Sequence, residues 1–215
     1  MSSVHIGMHF AVPIIQARFE APRGLNTELL DLCLSWEKSG TYKAEEPVPT
    51  NQINIYESEW NFLEVDNHAV KELRQFILRT LLPAVAHLNG YTQSEAARLK
   101  PRFHSWFHVT SKGGYISHHN HPNASWSGIY FVSPGEKPSD FSDSGRVKFL
   151  TPNPGVKMHR DRGNGSLKGP FSQNTFVIEP EVSKLVLFPS HLMHEVSPFM
   201  GQDKRVTIAF NCWFD

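Results

Sequence analysis

The hydrophobic period of this chain changes near residue 102, and that change limits the folds open to it. Upstream, Val70, Leu73, Ile77, Leu81 and Val85 recur every three or four residues, the spacing of one buried helical face. Asp66 or Asn67 stands where an N-cap belongs, and Gly90 follows where a left-handed C-cap belongs, so the sequence predicts a helix over 67–88. A second helix is expected over 26–36, where Leu29, Leu30, Cys33 and Leu34 share a face. Residues 8–19 read as mostly extended, with Pro13 favouring a sheet edge, and 40–52 read as a charged loop interrupted by Pro47 and Pro49. Downstream the apolar runs shorten and are punctuated by Gly, Pro and Ser. Strands are expected over 103–110, 115–121, 126–132, 146–150, 175–178, 184–188, 194–197 and 205–213.

Short strands after a helical prelude predict a mainly β fold with flanking helices, a double-stranded β-helix of the jelly-roll, cupin-like kind. A chain of 215 residues suits a single domain, with 1–100 as the N-terminal strand and supporting helices and 101–215 as the β-helix core. Lysine plus arginine and aspartate plus glutamate both number 21, and no basic stripe breaks the balance, which excludes nucleic acid as the expected partner. No apolar run approaches bilayer length, so no membrane is expected either. Cys33 and Cys212 are far apart and flank no metal-like spacing, so two buried thiols in a reducing cytoplasm are expected.

Histidine, at 12 residues, is the compositional outlier. His119-Asn120-His121 places two imidazoles on one face if the segment is extended, since side chains alternate with period 2. The apolar run Leu185-Val186-Leu187-Phe188 ends at Pro189-Ser190 and delivers His194 at the head of the next strand, with His191 left in the turn. Three imidazoles from two distant segments can cap one face of a metal and leave its other positions open for chemistry. Eleven residues on, Arg205 shares a strand face with Thr207, Ala209 and Asn211, while Val206, Ile208 and Phe210 take the opposite face. A guanidinium and a hydroxyl facing one cavity make a clamp for a carboxylate. His104 and His108 are read as structural. Trp126, Tyr130 and Asn211 are the candidate substrate contacts. Residues 152–174 form a long connection, read as a lid or binding loop, whose basic cluster is Lys157, His159, Arg160, Arg162 and Lys168.

His119-Asn120-His121-Pro122, the Phe188-Pro189-Ser190 turn with His194, and Arg205-Val206-Thr207 together resemble the signature of iron(II)- and 2-oxoglutarate-dependent oxygenases. Trp106-Phe107, Trp126-Ser127-Gly128-Ile129-Tyr130-Phe131-Val132, Phe10-Ala11-Val12-Pro13 and Thr50-Asn51-Gln52 extend the resemblance to bacterial and phage members of that group. The resemblance implies Fe(II) held by His119, His121 and His194. It also implies 2-oxoglutarate chelating the iron, with Arg205 and Thr207 on its far carboxylate. Tyr115, two strand steps from His119, is the expected further co-substrate contact. The implied reaction is hydroxylation of a small-molecule or peptidic substrate by O₂. The chain departs from the wider group at His121, where a carboxylate is usual. That substitution keeps two rivals open: a three-histidine cupin-type dioxygenase that does not use 2-oxoglutarate, and a non-catalytic metal-binding barrel.

Overall fold

The computed structural model describes residues 5, 8–45, 50–59, 61–152, 159–172 and 174–215. The N-terminal third contributes strand β1 (Ile15–Arg18), helix α1 (Leu25–Ser39), strand β2 (Gln52–Glu57), helix α2 (His68–Asn89) and the short helix α3 (Gln93–Ala96). Strands β3 (Pro101–His119), β4 (Trp126–Ser133), β5 (Val147–Phe149), β6 (Phe176–Ile178), β7 (Lys184–Pro189), β8 (His194–Val196) and β9 (Arg205–Phe214) follow. All pairings between these strands are antiparallel, in the order β1-β7-β4-β9-β3-β8-β5-β6, with β2 on β3. This is the expected double-stranded β-helix with helices on one outer face.

Helix α2 forms where the periodicity places it. The Asn67 side chain accepts from the Val70 amide at 3.1 Å, and Gly90 closes the other end at φ 68°. Val70, Leu73, Ile77, Leu81 and Val85 are buried with Leu29 and Cys33 of α1 against Phe107, Tyr130, Leu187, Ile208 and Phe210 of the sheet. The other sheet face buries a second cluster built on Ile116, Ile129, Phe131, Phe149, Val186 and Phe188. Alternation along β4 and β7 divides the two, odd and even positions of one strand serving opposite cores, while on β9 Val206, Ile208 and Phe210 join the helix-side core and Arg205, Thr207 and Ala209 line a cavity. Replacing Ile77, which is fully buried, by alanine is expected to cost about 2–5 kcal/mol in a denaturant titration without changing the site described below.

Two expectations are corrected here. The segments expected over 103–110 and 115–121 are one strand, β3, which runs through a bend at Gly113 and Gly114 and ends at His119, leaving residues 120 and 121 outside it. Gly113 has φ 79°, and a Cβ on Gly114 would lie 2.5 Å from Thr110 Cγ2 and 2.8 Å from the Ser111 carbonyl oxygen, so only glycine fits. The bend lets β3 pair with β9 through its first half and with β8 through its second. Strand β2, unforeseen in the sequence, pairs alongside β3 from Gln52 opposite Ile116 to Glu57 opposite His108. Cys33 and Cys212 are both buried and free. No helix among the described residues is long and apolar enough to cross a membrane.

Candidate metal centre and carboxylate clamp

His119 ends β3 and His194 opens β8, and the two stand directly opposite each other in the ladder. Their rings are 4.1 Å apart. His121 lies beyond the strand, in the turn before β4, where its backbone N–H donates to the Ser190 carbonyl at 2.8 Å. That contact ties the turn to the end of β7 and brings the ring to 5.1 Å from His119 and 5.3 Å from His194. One ligand atom from each of the three lies within 4.8 Å of the others. The grouping is the expected one, but His121 arrives by a tethered turn and not by strand alternation.

Two of the rings are pinned. Nδ1 of His119 is 2.7 Å from the Ser117 carbonyl oxygen, and Nδ1 of His194 is 2.9 Å from that of Leu192. A carbonyl only accepts, so each Nδ1 carries the proton and each Nε2 keeps its lone pair for a cation. Burial holds all three imidazoles toward the neutral form that metal binding needs. It pushes His121 down from 6.5 to about 4, with His119 and His108 adding repulsion and Glu57 opposing. His119 is lowered chiefly by burial, against its bond to Ser117, and His194 falls well below the ordinary range for the same reason. The unfolded chain therefore takes up protons near pH 6.5 while the fold resists them, so stability rises with pH through this window. The metal-free protein is expected to lose melting temperature as pH falls from 6.5 toward 4, and bound metal should raise the melting temperature at neutral pH without removing that slope, because the unfolded chain still takes up the protons.

Arg205 lies in the same cavity, which is also lined by Trp106, His108, Thr207 and Ala209. Its side chain is 1% exposed, and burial lowers its pKa only to about 10, so it remains a cation at neutral pH. Nη1 is 3.5 Å from Thr207 Oγ1, the guanidinium carbon is 5.5 Å from the Phe131 ring centre, and Nε has no hydrogen-bond partner. No carboxylate pairs with it among the described residues. A buried cation without a counter-ion is costly, and the cost is recovered when an anion enters. Three neutral imidazoles and one unpaired guanidinium in one cavity fit a divalent metal and a dicarboxylate that reaches from it to Arg205.

Other candidates are placed elsewhere. Tyr115 does not line the cavity, because the ladder slips between Ile116 and His119 and the bulge puts Ile116, not Tyr115, on the histidine face. Trp126 and Tyr130 are buried in the helix-side core, one step out of phase with the cavity residues Ser127 and Ile129, and the Tyr130 hydroxyl donates to Asn26 Oδ1 at 2.8 Å. Asn211 is occupied by the Ser127 hydroxyl at 2.7 Å and lies off the lining. His108, read as structural, faces the cavity and pairs with Glu57 at 2.8 Å. The alternation of Gln52-Ile53-Asn54-Ile55-Tyr56-Glu57 was the signal that could have revealed β2 and this partner. Of the basic cluster, His159, Arg160, Arg162 and Lys168 are exposed, and Lys157 lies outside the described residues.

A double-stranded β-helix that gathers three histidines and a buried arginine around one cavity defines a class of metal-dependent oxygenases using a keto-acid co-substrate. Residues 104–211 match the family model described as "Putative 2OG-Fe(II) oxygenase", and the chain belongs to that family. It is a 2-oxoglutarate-dependent oxygenase whose cofactor is Fe(II) and whose co-substrate is 2-oxoglutarate. The solved structures it resembles include a Pseudomonas putida prolyl-4-hydroxylase, 17% identical over 94% of this chain and 91% of that one, at a TM-score of 0.56. A Trichoplax adhaerens prolyl hydroxylase bound to a peptide fragment of hypoxia inducible factor is 15% identical over 94% and 82%, at 0.57. HygX from Streptomyces hygroscopicus, with nickel, 2-oxoglutarate and hygromycin B bound, is 11% identical over 94% and 83%, at 0.55. At these identities the likeness is one of fold. No curated protein matches the sequence. Family membership sets aside the cupin-type reading without 2-oxoglutarate and the non-catalytic barrel.

Proposed function

We propose that residues 1–215 act as one oxygenase domain that hydroxylates a small-molecule or peptidic substrate, with His119, His121 and His194 holding the iron. Arg205 and Thr207 bind the far carboxylate of 2-oxoglutarate. The observation that carries this reading is the meeting, in one cavity, of the histidine group with a buried Arg205 that no carboxylate pairs among the described residues and whose Nε has no hydrogen-bond partner. Bound Fe(II) and 2-oxoglutarate supply O₂-dependent oxidation, in which 2-oxoglutarate leaves as succinate and CO₂. The chain's own part is to orient and exclude. Carbonyls of Ser117 and Leu192 fix two rings, and the Ser190 carbonyl fixes the turn carrying the third. Phe149 and Phe188 pack at 5.7 Å and 4.8 Å from the His194 ring and keep water from that side. Proteins of like fold bind a peptide in one case and hygromycin B in another, which supports both substrate kinds. The two buried free thiols support a reducing, cytoplasmic setting.

Anaerobic addition of Fe(II) and 2-oxoglutarate tests the assignment. A weak visible charge-transfer band is expected in the wild type. Arg205→Ala should need far more 2-oxoglutarate to develop it, with Fe(II) binding alone retained. Equal loss of both ligands in that variant would sink the clamp.

A further inference from the structure

The row of side chains that carries two of the histidines continues past them. His119 stands opposite His194, His194 opposite Phe149, and Phe149 opposite Phe176, so four rings share one face of β3, β8, β5 and β6. Phe149 packs 5.7 Å from the His194 ring and also lines a second cavity, of about 660 Å³. Leu192, whose carbonyl pins His194, lines it too. Its other walls come from the chain ahead of β1 and from the connection between β5 and β6. Phe10, Leu167, Phe171 and Phe176 border it and are 98%, 40%, 43% and 44% exposed. No lysine, arginine, aspartate or glutamate is among the described residues that line it. Large apolar side chains left in water around one concave site mark a place that a ligand covers.

We propose that this second cavity is the substrate site, and that it takes a small molecule whose bulky, uncharged, ring-bearing body lies on Phe149 and Phe176 beside His194. The inference rests on the oxygenase reading above, with the three histidines as the metal site, and names its substrate class. The volume falls within the roughly 300–1,000 Å³ of small-molecule sites. The described walls offer an ionised group no charged partner, so the part of the substrate buried there is uncharged. An extended peptide needs a run of backbone partners, and β6, the edge strand beside the cavity, is three residues long. Arg205 and Thr207 stand on β9, across β3 from β8, β5 and β6, so co-substrate and substrate flank the histidines on opposite sides.

The test uses N-phenylnaphthylamine, an uncharged aromatic probe that brightens on leaving water. The wild type should bind it saturably. Phe176→Ala is expected to weaken that binding on the order of tenfold, and Phe171→Ala should do likewise. Phe141→Ala alters a similarly exposed ring outside the cavity and should leave binding unchanged. In the Co(II)-loaded protein the probe should shift the visible Co(II) bands, and neither 2-oxoglutarate nor a tryptic peptide mixture should displace it. Equal binding by the wild type and both cavity variants, unaltered Co(II) bands, or displacement by 2-oxoglutarate or by peptides would overturn the proposal. Failure of His119→Ala to weaken Co(II), competed against a chromophoric chelator, would instead overturn the metal-site reading beneath it.

Discussion

Replacing Arg205 by methionine is expected to raise the melting temperature of the metal-free protein and at the same time abolish its response to 2-oxoglutarate. Both halves come from one observation: the guanidinium is buried, charged, and without a carboxylate among the described residues. In the absence of an anion it is desolvated for little return, and apolar side chains in place of buried charges are often neutral or stabilising, by about 1–4 kcal/mol. Methionine keeps most of the stem that lies beside Gly145 and gives up only the guanidinium that lies over the Phe131 ring. With the anion present the sign reverses, because losing one partner of a buried charged hydrogen bond costs about 2–5 kcal/mol, or roughly thirtyfold and more in affinity. Thermal melts with and without metal plus 2-oxoglutarate check it. A metal-free variant less stable than wild type would mean that Arg205 is a structural cation with an internal partner.

Removing His194 should be the most damaging single change to metal binding. Its ring is 2% exposed, pinned through Nδ1 to the Leu192 carbonyl, and walled by Phe149 and Phe188. A ligand fixed in this way has lost its rotamer entropy before the metal arrives. Changes one shell out commonly cost up to about 100-fold in affinity, so His194→Ala is expected to exceed that. Co(II) competition would measure it, with far-ultraviolet circular dichroism verifying an intact fold. Binding within a few fold of wild type would remove His194 from the centre.

Much of the fold was legible because it depends on local period. The stripe from Val70 to Val85 can bury only as a helix, and the alternation from Arg205 to Phe210 can serve two surfaces only as a strand. His119, His194 and Arg205 were legible for a related reason: each sits at a strand end or on a strand face whose direction the neighbouring residues declare, whereas His121 was legible only through its spacing from His119. Tyr115 misled because its period-2 kinship with His119 assumes an unbroken ladder. The slip after Ile116 depends on how β8 pairs with β3, which no local pattern records. Trp126 and Tyr130 misled because a strand buried on both faces gives little hint of which face meets the helices.

The sequence by itself determined the two long helices and most of the strands, which residues could bind a metal, and which cation could face a carboxylate. It did so because side-chain period and residue chemistry are properties of short segments. Only the tertiary structure decided that His121 reaches the group through a turn tethered to Ser190, that Gly113 and Gly114 carry β3 between two partners, and that Glu57 lies behind His108. Those outcomes are matters of register between distant strands, where a shift of one residue exchanges the buried face for the cavity face.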